Sequence, residues 1–198
     1  MYRIGQEEVE AVQRVINSKV LFRRGDPKSG HQNEVVKFER ELAEKIGTEY
    51  ALCLTSGTSA LICAMVGLGI GPGDEVIIPA YTYIATAQAV LAVGAIPVIA
   101  DVDETMTIDP EDVKAKISAN VKAIIPVHMV GRVANLKVLL EIARENNIKL
   151  IEDSCQCDGG SYQGKRTGSW GDAGAFSFND FKIISSGEGG ALVTNDKS

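Results

Sequence analysis

Several residues able to do chemistry sit where apolar runs of the sequence give way to loops or helical patterns. Lys182 follows the run AGAFSF (173–178) and precedes the glycine-rich GEGG (187–190), which permits close backbone approach. Asp153 lies at the end of KLIEDS (149–154), with Gln156 just beyond. Ser56, Gly57, Thr58 and Ser59 form a small-residue turn between ALCLTS (51–56) and a helical pattern. Tyr81 and Tyr83 follow EVIIPA (75–80), His128 closes AIIPVH (123–128), and Ser177 lies within AGAFSF. In an open parallel sheet, ligands gather at the carboxyl ends of the strands, so these residues are candidates for one site.

Each has a plain reading and a chemical one. A turn of small residues at a helix start is an ordinary N-cap. It is also a phosphate cradle, because free N–H groups and the positive helix end face outward. Tyr83 is either a packed aromatic or a plate for a flat heteroaromatic ring. Glu152 and Asp153 are adjacent on a strand and must point to opposite faces. Asp153, nearer the strand end, is the ligand candidate, and a partly buried carboxylate calls for a cationic partner such as a protonated pyridine nitrogen. Lys182 is either a solvated charge or an amine that captures an aldehyde. His128 is either a hydrogen-bonded structural histidine, the commoner case at a strand end, or a catalytic one. Taken together, a phosphate cradle, an aromatic plate, an aspartate and a lysine meet the needs of pyridoxal 5′-phosphate.

The elements that must position these groups alternate. Strands are predicted at 51–56, 75–80, 96–101, 123–128, 149–154, 173–178 and 190–195, mostly as continuous apolar runs covered on both faces. Helices are predicted at 58–68, 82–93, 110–117 and 135–146 between the first five strands. The third starts with Asp109 as cap and Pro110 in its first turn. The alternation implies right-handed crossovers and a mainly parallel sheet. Two further helical segments, about 5–17 and 34–46, precede the first strand. The segment GGSYQGKR (159–166) has P-loop glycine spacing, but Arg166 stands where Ser or Thr is needed and no helix pattern follows, so it reads as a hairpin or loop. GLGIGPGD (67–74) precedes a strand and lacks the dinucleotide-binding spacing.

Composition sets outer bounds. The 198 residues allow one sizeable domain, and 45% hydrophobic with 23% charged residues reads as globular. The net charge of −6 argues against nucleic acid or an anionic membrane as the main partner. Four cysteines without a C-x-x-C pair and two isolated histidines argue against a metal site. Cys53 and Cys63 are expected in the core. No apolar run reaches the roughly 20 residues of a membrane span. With no secretory pattern at the N-terminus, the expected location is cytoplasmic.

The motifs SGTSAL, GPGDEVIIPAYTYIAT, PVIADVD, IIPVHMVG, IEDSCQ and FSFNDFKIISSGEGGALVTND, in this order, resemble the DegT/DnrJ/EryC1/StrS sugar aminotransferases. These have the aspartate-aminotransferase fold, known as fold type I. The resemblance implies an α/β fold of three α/β/α layers around a mainly parallel seven-stranded sheet. It implies a helical segment at 1–50 and a cofactor-binding large domain at 51–198, the family's smaller C-terminal domain lying outside this chain. It implies that Lys182 forms the Schiff base with pyridoxal 5′-phosphate and that Asp153 partners the pyridine nitrogen. Gln156 lies beside the ring hydroxyl, Tyr83 stacks on the ring, and Gly57, Thr58, Ser59 and Ser177 contact the phosphate. Some positions depart from the family pattern. Ser154-Cys155-Gln156 stands where Ala-Ala-Gln is common, and HMVGR where His-Leu-Tyr-Gly is common.

The implied activity is transfer of an amino group from glutamate or glutamine to a keto sugar, in cell-surface polysaccharide or secondary-metabolite biosynthesis, by a homodimer. The sugar is nucleotide-linked or of the keto-deoxy-octulosonate type. For the latter, the LFRRG segment offers Arg23 or Arg24 to a carboxylate, unless both are surface residues. Lysine at 182 favours amino transfer over the dehydration carried out by members with histidine there. Two alternatives stay open: a non-catalytic cofactor-binding or regulatory module, and a pyridoxal-phosphate-dependent sugar dehydratase.

Overall fold

The computed structural model describes residues 4–197. Its strands are β1 (Tyr50–Leu54), β2 (Glu75–Pro79), β3 (Ile96–Ala100), β4 (Val121–Ile124), β5 (Lys149–Asp153), β6 (Ser161–Tyr162), β7 (Lys165–Arg166), β8 (Ala173–Ser177) and β9 (Gly190–Thr194). Its α-helices are α1 (Gln6–Ser18), α2 (Glu34–Ile46), α3 (Gly57–Gly67), α4 (Ala85–Ala92), α5 (Pro110–Ala115) and α6 (Leu136–Glu145). Seven strands make one sheet in the order β1-β9-β8-β5-β4-β2-β3. β2, β3, β4, β5 and β8 run parallel, while β9 is antiparallel to both of its neighbours, β8 and β1.

The continuous apolar runs are explained by burial on both faces. Alternate residues of a strand point to opposite sides. Val76, Ile78, Ala123, Ile151 and Ala175 therefore pack with α3 and α4, through Ala60, Leu61, Ala64, Met65, Ala89 and Val90. Ile77, Ile124 and Leu150 face the other way, onto Val113 of α5 and Leu136, Leu139, Ile142 and Ala143 of α6. Phe176, Ala191 and Val193 meet Ile46 of α2 on a third patch, where Phe38 and Phe178 pack edge to face with ring centroids 5.4 Å apart. Each large aliphatic side chain removed from water in these layers contributes about 1.5–3 kcal/mol. Asp109 caps α5 through the Glu111 N–H, with Pro110 in its first turn, as the sequence indicates.

The differences from the sequence reading have local causes. β1 and β3 are the sheet edges, so they are only partly covered rather than buried on both faces. Cys53 lies on β1 and Cys63 on α3, and both are half-buried instead of in the core. The helix expected from residue 82 starts at Ala85, because residues 80–84 form a turn, closed by the Thr86 N–H on the Tyr83 carbonyl. Residues 161–166 make the β6–β7 hairpin. Gln163 (φ 47°) and Gly164 (φ 81°) both take left-handed conformations, as a two-residue hairpin turn demands. No helix among the described residues is long and apolar enough to cross a membrane.

Candidate active site

At the end of β1, Ser56 caps α3 by accepting the Ser59 N–H at 3.0 Å. The N–H groups of Gly57 and Thr58 are left at the positive end of the helix. Gly57 must lack a side chain: a Cβ there would lie 2.5 Å from Cys155 Sγ and 2.9 Å from Ser177 Cβ. The chain needs glycine again at position 190, where a Cβ would lie 2.3 Å from the Ser56 carbonyl carbon. The start of β9 is thereby pressed against the α3 cap, and this explains the last glycine of GEGG.

At the end of β2, Thr82 and Thr86 join their hydroxyls at 2.7 Å, and Thr86 Oγ1 donates to Asp153 Oδ2 at 2.9 Å. Asp153 Oδ1 accepts the Cys155 N–H at 3.1 Å. The backbone of Asp153 is fixed to the chain beyond β4: its N–H donates to the Pro126 carbonyl at 2.9 Å, and its carbonyl accepts the His128 N–H at 3.1 Å. The result is a buried carboxylate, held by two neutral donors, with no cation paired to it among the described residues.

Glu152 points to the opposite face, as strand alternation requires. It accepts the N–H groups of Gly168 (2.8 Å), Trp170 (2.6 Å) and Gly171 (3.0 Å) and meets His128 Nε2 at 3.2 Å. His128 Nδ1 accepts the Ala134 N–H at 3.3 Å, so the proton sits on Nε2 and the ring is a neutral donor to Glu152. His128 is therefore a structural residue, as its sequence context indicates.

After β8, residues 179–189 form a loop tied at both ends. Phe178 donates to the Gly189 carbonyl at 2.8 Å, and its carbonyl accepts the Ser186 N–H at 2.9 Å. Asn179 organises the turn before the lysine. Its carbonyl accepts the Lys182 N–H (2.9 Å), its Oδ1 accepts the Phe181 N–H (3.3 Å), and its Nδ2 donates to Glu188 (2.9 Å).

These strand ends enclose one cavity of about 420 Å³. Gly57, Thr58, Tyr83, Asp153, Gln156, Ser177 and Lys182 all line it. Ser59 does not, because its hydroxyl turns back onto Ser56 and Thr55. Sequence reasoning missed Thr86, Asn179, Glu188 and Cys155. Thr86 carried a usable signal, being one helical turn past Tyr83; the other three depend on how the loops fold back. Burial and the Asp153 charge push the Cys155 thiol well up, so it lines the cavity as an inert neutral group. Arg23 pairs with the buried Glu39, which also accepts the Cys53 N–H at 2.8 Å, while Arg24 is exposed. No cluster of metal-ligating side chains occurs among the described residues.

Residues 2–198 match the model of the DegT/DnrJ/EryC1/StrS aminotransferase family. The chain belongs to this family. It is 45% identical over 163 residues to a GDP-perosamine synthase of Caulobacter vibrioides, covering 82% of this chain and 44% of that protein. It is 39% identical over 188 residues to an L-glutamine:2-deoxy-scyllo-inosose aminotransferase of Streptomyces lividus, covering 94% and 44% respectively. A solved sugar aminotransferase of Streptococcus pneumoniae in its PLP form superposes with a TM-score of 0.90 at 29% identity, over 98% of this chain and 52% of that one. The chain thus spans about half the length of the relatives it matches.

The DegT/DnrJ/EryC1/StrS family is pyridoxal-phosphate-dependent, and the cavity fits that cofactor. Gly57 and Thr58, at the N-terminus of α3, line the cavity, and an anionic phosphate is favoured there. The buried Asp153 has the charge and position to pair with a cationic ring nitrogen, and the Lys182 amine opens on the same cavity.

Proposed function

We propose that the full protein is an aminotransferase that moves an amino group from glutamine or glutamate to a keto sugar, using pyridoxal 5′-phosphate held in the cavity described above. The observation that carries this reading is that one cavity brings together Lys182, the buried Asp153 and the N-terminus of α3. When bound, the cofactor supplies an electron-accepting ring that stabilises negative charge on the donor's α-carbon. Gly57, Thr58 and Ser177 would hold the phosphate, and Tyr83 would pack on the ring. Asp153 keeps a proton on the ring nitrogen. Gln156 Oε1 already accepts the Val130 N–H at 3.3 Å, which leaves its amide N–H₂ for the ring hydroxyl. Lys182 Nζ would anchor the cofactor and would move a proton to and from the donor α-carbon.

Glutamine as donor is supported by the Streptomyces lividus relative, an L-glutamine:2-deoxy-scyllo-inosose aminotransferase, and a nucleotide-linked sugar by the Caulobacter relative, a GDP-perosamine synthase. Arg23 is engaged by Glu39, which leaves the exposed Arg24 as the arginine of this segment open to a sugar-acid carboxylate. In this reading residues 51–198 are the large cofactor-binding domain and 1–50 its N-terminal helical segment. The protein works as a homodimer in the cytoplasm. Tyr81, Tyr83, Ile84, Phe181, Ile183 and Ile184 are exposed apolar side chains near the cavity, Phe181 at 93%, and a second copy would cover them.

The reading is tested by adding cofactor to the protein, then glutamine or glutamate, then a panel of nucleotide-linked keto sugars, with mass spectrometry of the products. An amino sugar formed only when both donor and acceptor are present supports it. A deoxygenated sugar without nitrogen contradicts it and favours dehydration.

A further inference from the structure

The loop that carries Lys182 is not packed into the protein. Phe181 is 93% exposed, and Ile183 and Ile184 are exposed as well. Lys182 itself belongs to no helix or strand. Apolar burial therefore does not decide where its amine points, and hydrogen bonds must do so. Two backbone bonds close the neck of the loop, from Phe178 to Gly189 and from Ser186 to Phe178. They fix the ends of the loop and not the turn in which the lysine stands.

Asn179 fastens that turn at three points. Its carbonyl accepts the Lys182 N–H at 2.9 Å, and its Oδ1 accepts the Phe181 N–H at 3.3 Å. With Oδ1 facing that N–H, Nδ2 reaches across the loop and donates to Glu188 Oε1 at 2.9 Å. A hydrogen bond to a carboxylate is stronger than one between neutral groups. Glu188 is itself held, because its carbonyl accepts the Ser186 hydroxyl at 2.8 Å. The glycines beside it make this fit. Gly187 takes a left-handed conformation (φ 83°), and a Cβ at Gly189 would lie 2.6 Å from Ser186 Oγ. Asn179 and Glu188 both line the cavity together with Lys182.

We propose that Asn179 and Glu188 form a latch that positions Lys182: their hydrogen bond joins the lysine's turn to the glycine-rich return of the loop and keeps the amine aimed into the cavity. The proposal deepens the aminotransferase reading and rests on Lys182 being the residue that captures the cofactor's aldehyde. In that capture the amine adds to the aldehyde carbon, and the aldehyde oxygen leaves as water. The addition needs the nitrogen at attack distance. A latch on the backbone raises the fraction of time the amine spends there, while the groups that hold the cofactor's phosphate and ring nitrogen are untouched.

The test compares wild type, Asn179→Asp, Glu188→Gln and the double variant Asn179→Asp/Glu188→Gln, each checked for folding by circular dichroism. Asn179→Asp keeps an acceptor for the Phe181 N–H but sets two carboxylates against each other. The double variant remakes the bond with reversed polarity, the introduced glutamine amide donating to the introduced aspartate. Amide hydrogen exchange on cofactor-free protein reads the latch directly. The peptide over residues 180–186 is expected to exchange about 5-fold or more faster in Asn179→Asp and to slow again in the double variant. Two cofactor readouts follow. The affinity for pyridoxamine phosphate, which has no aldehyde for the lysine to capture, should stay within about 3-fold of wild type in Asn179→Asp. The rate of pyridoxal phosphate attachment to Lys182, trapped with borohydride and followed by peptide mass spectrometry, should fall about 10-fold or more. Introducing Glu188→Gln should recover much of that rate in the Asn179→Asp chain, and by more than it changes the wild-type chain. An attachment rate unchanged in Asn179→Asp, an equal loss of rate and of pyridoxamine phosphate affinity, or the same effect of Glu188→Gln in both chains overturns the latch. If wild type itself forms no adduct at Lys182, the cofactor reading fails, while the exchange profiles still decide whether the latch exists.

Discussion

Glu152 and Asp153 are adjacent on β5 and divide the work of the strand end between them. The first faces away from the cavity and gathers four hydrogen bonds from Gly168, Trp170, Gly171 and His128. The second faces into the cavity and is held by Thr86 and Cys155. One carboxylate fixes the segment between the β6–β7 hairpin and β8, and the other is left to meet a ligand.

Substituting the two should therefore give opposite phenotypes. Glu152→Ala strands three N–H groups and the His128 Nε2–H inside the protein and is expected to cost about 3–5 kcal/mol. Asp153→Asn can keep both hydrogen bonds, because the Thr86 hydroxyl both donates and accepts, and it removes a buried charge. Its denaturation midpoint should match or exceed wild type, while cofactor-dependent amino transfer falls by at least tenfold. Urea melts and donor half-reaction rates measure both. A destabilised Asp153→Asn with normal rates would refute the division of roles.

Thr86 is the donor that orients Asp153. Thr86→Val keeps the shape and removes the hydroxyl, leaving Asp153 Oδ2 without its donor and Thr82 without its partner. Amino-transfer rate is expected to fall about 10-fold or more, the loss of one hydrogen bond of roughly 1.5–3 kcal/mol to a charged group. Thr86→Ser should recover most of it. An equal loss in both variants would place the effect in packing instead.

Gly57→Ala tests the phosphate cradle. The added methyl must displace Cys155 Sγ and Ser177, both of which line the cavity. Cofactor affinity is expected to drop by 10-fold or more, on the order of 1.4 kcal/mol, and Cys155→Ala in the same chain should restore part of it. Fluorescence titration with pyridoxal phosphate provides the constants. Unchanged affinity would move the phosphate away from the α3 N-terminus.

Asp158, on the turn after β5, leaves a signature in stability against pH. Its carboxyl is raised from 3.8 to about 6 in the folded protein, so folding favours the protonated form. That contribution is complete below about pH 3.8 and is lost as pH rises through about 6. Asp158→Asn, which cannot ionise, should therefore gain in Tm relative to wild type as pH rises from 4 to 7, with little further gain above. A Tm difference that is flat across this range would show that the carboxyl is not buried in its charged form.

The sheet and most of the site were legible because both follow from short-range rules. Seven apolar runs marked seven strands, and the groups just past their ends, Gly57, Tyr83, Asp153 and Lys182, meet in one cavity. The opposition of Glu152 and Asp153 followed from the two-residue period of a strand. What remained hidden depends on tertiary partners. No local pattern indicates that Ser59 turns its hydroxyl to Ser56, that Arg23 pairs with Glu39 sixteen residues away, or that Asn179 clasps Glu188 across the lysine loop. The half-burial of Cys53 could be read only once β1 was known to be the edge of the sheet.

The central claim is that Lys182 carries the cofactor, and the most direct measurement is to reduce the cofactor-loaded protein with borohydride and map the modified peptide by mass spectrometry. A pyridoxyl-phosphate adduct on Lys182 in wild type, lost in Lys182→Ala together with the visible absorbance of bound cofactor, is the expected result. An adduct on another lysine, or the same absorbance and adduct yield in Lys182→Ala, would contradict it.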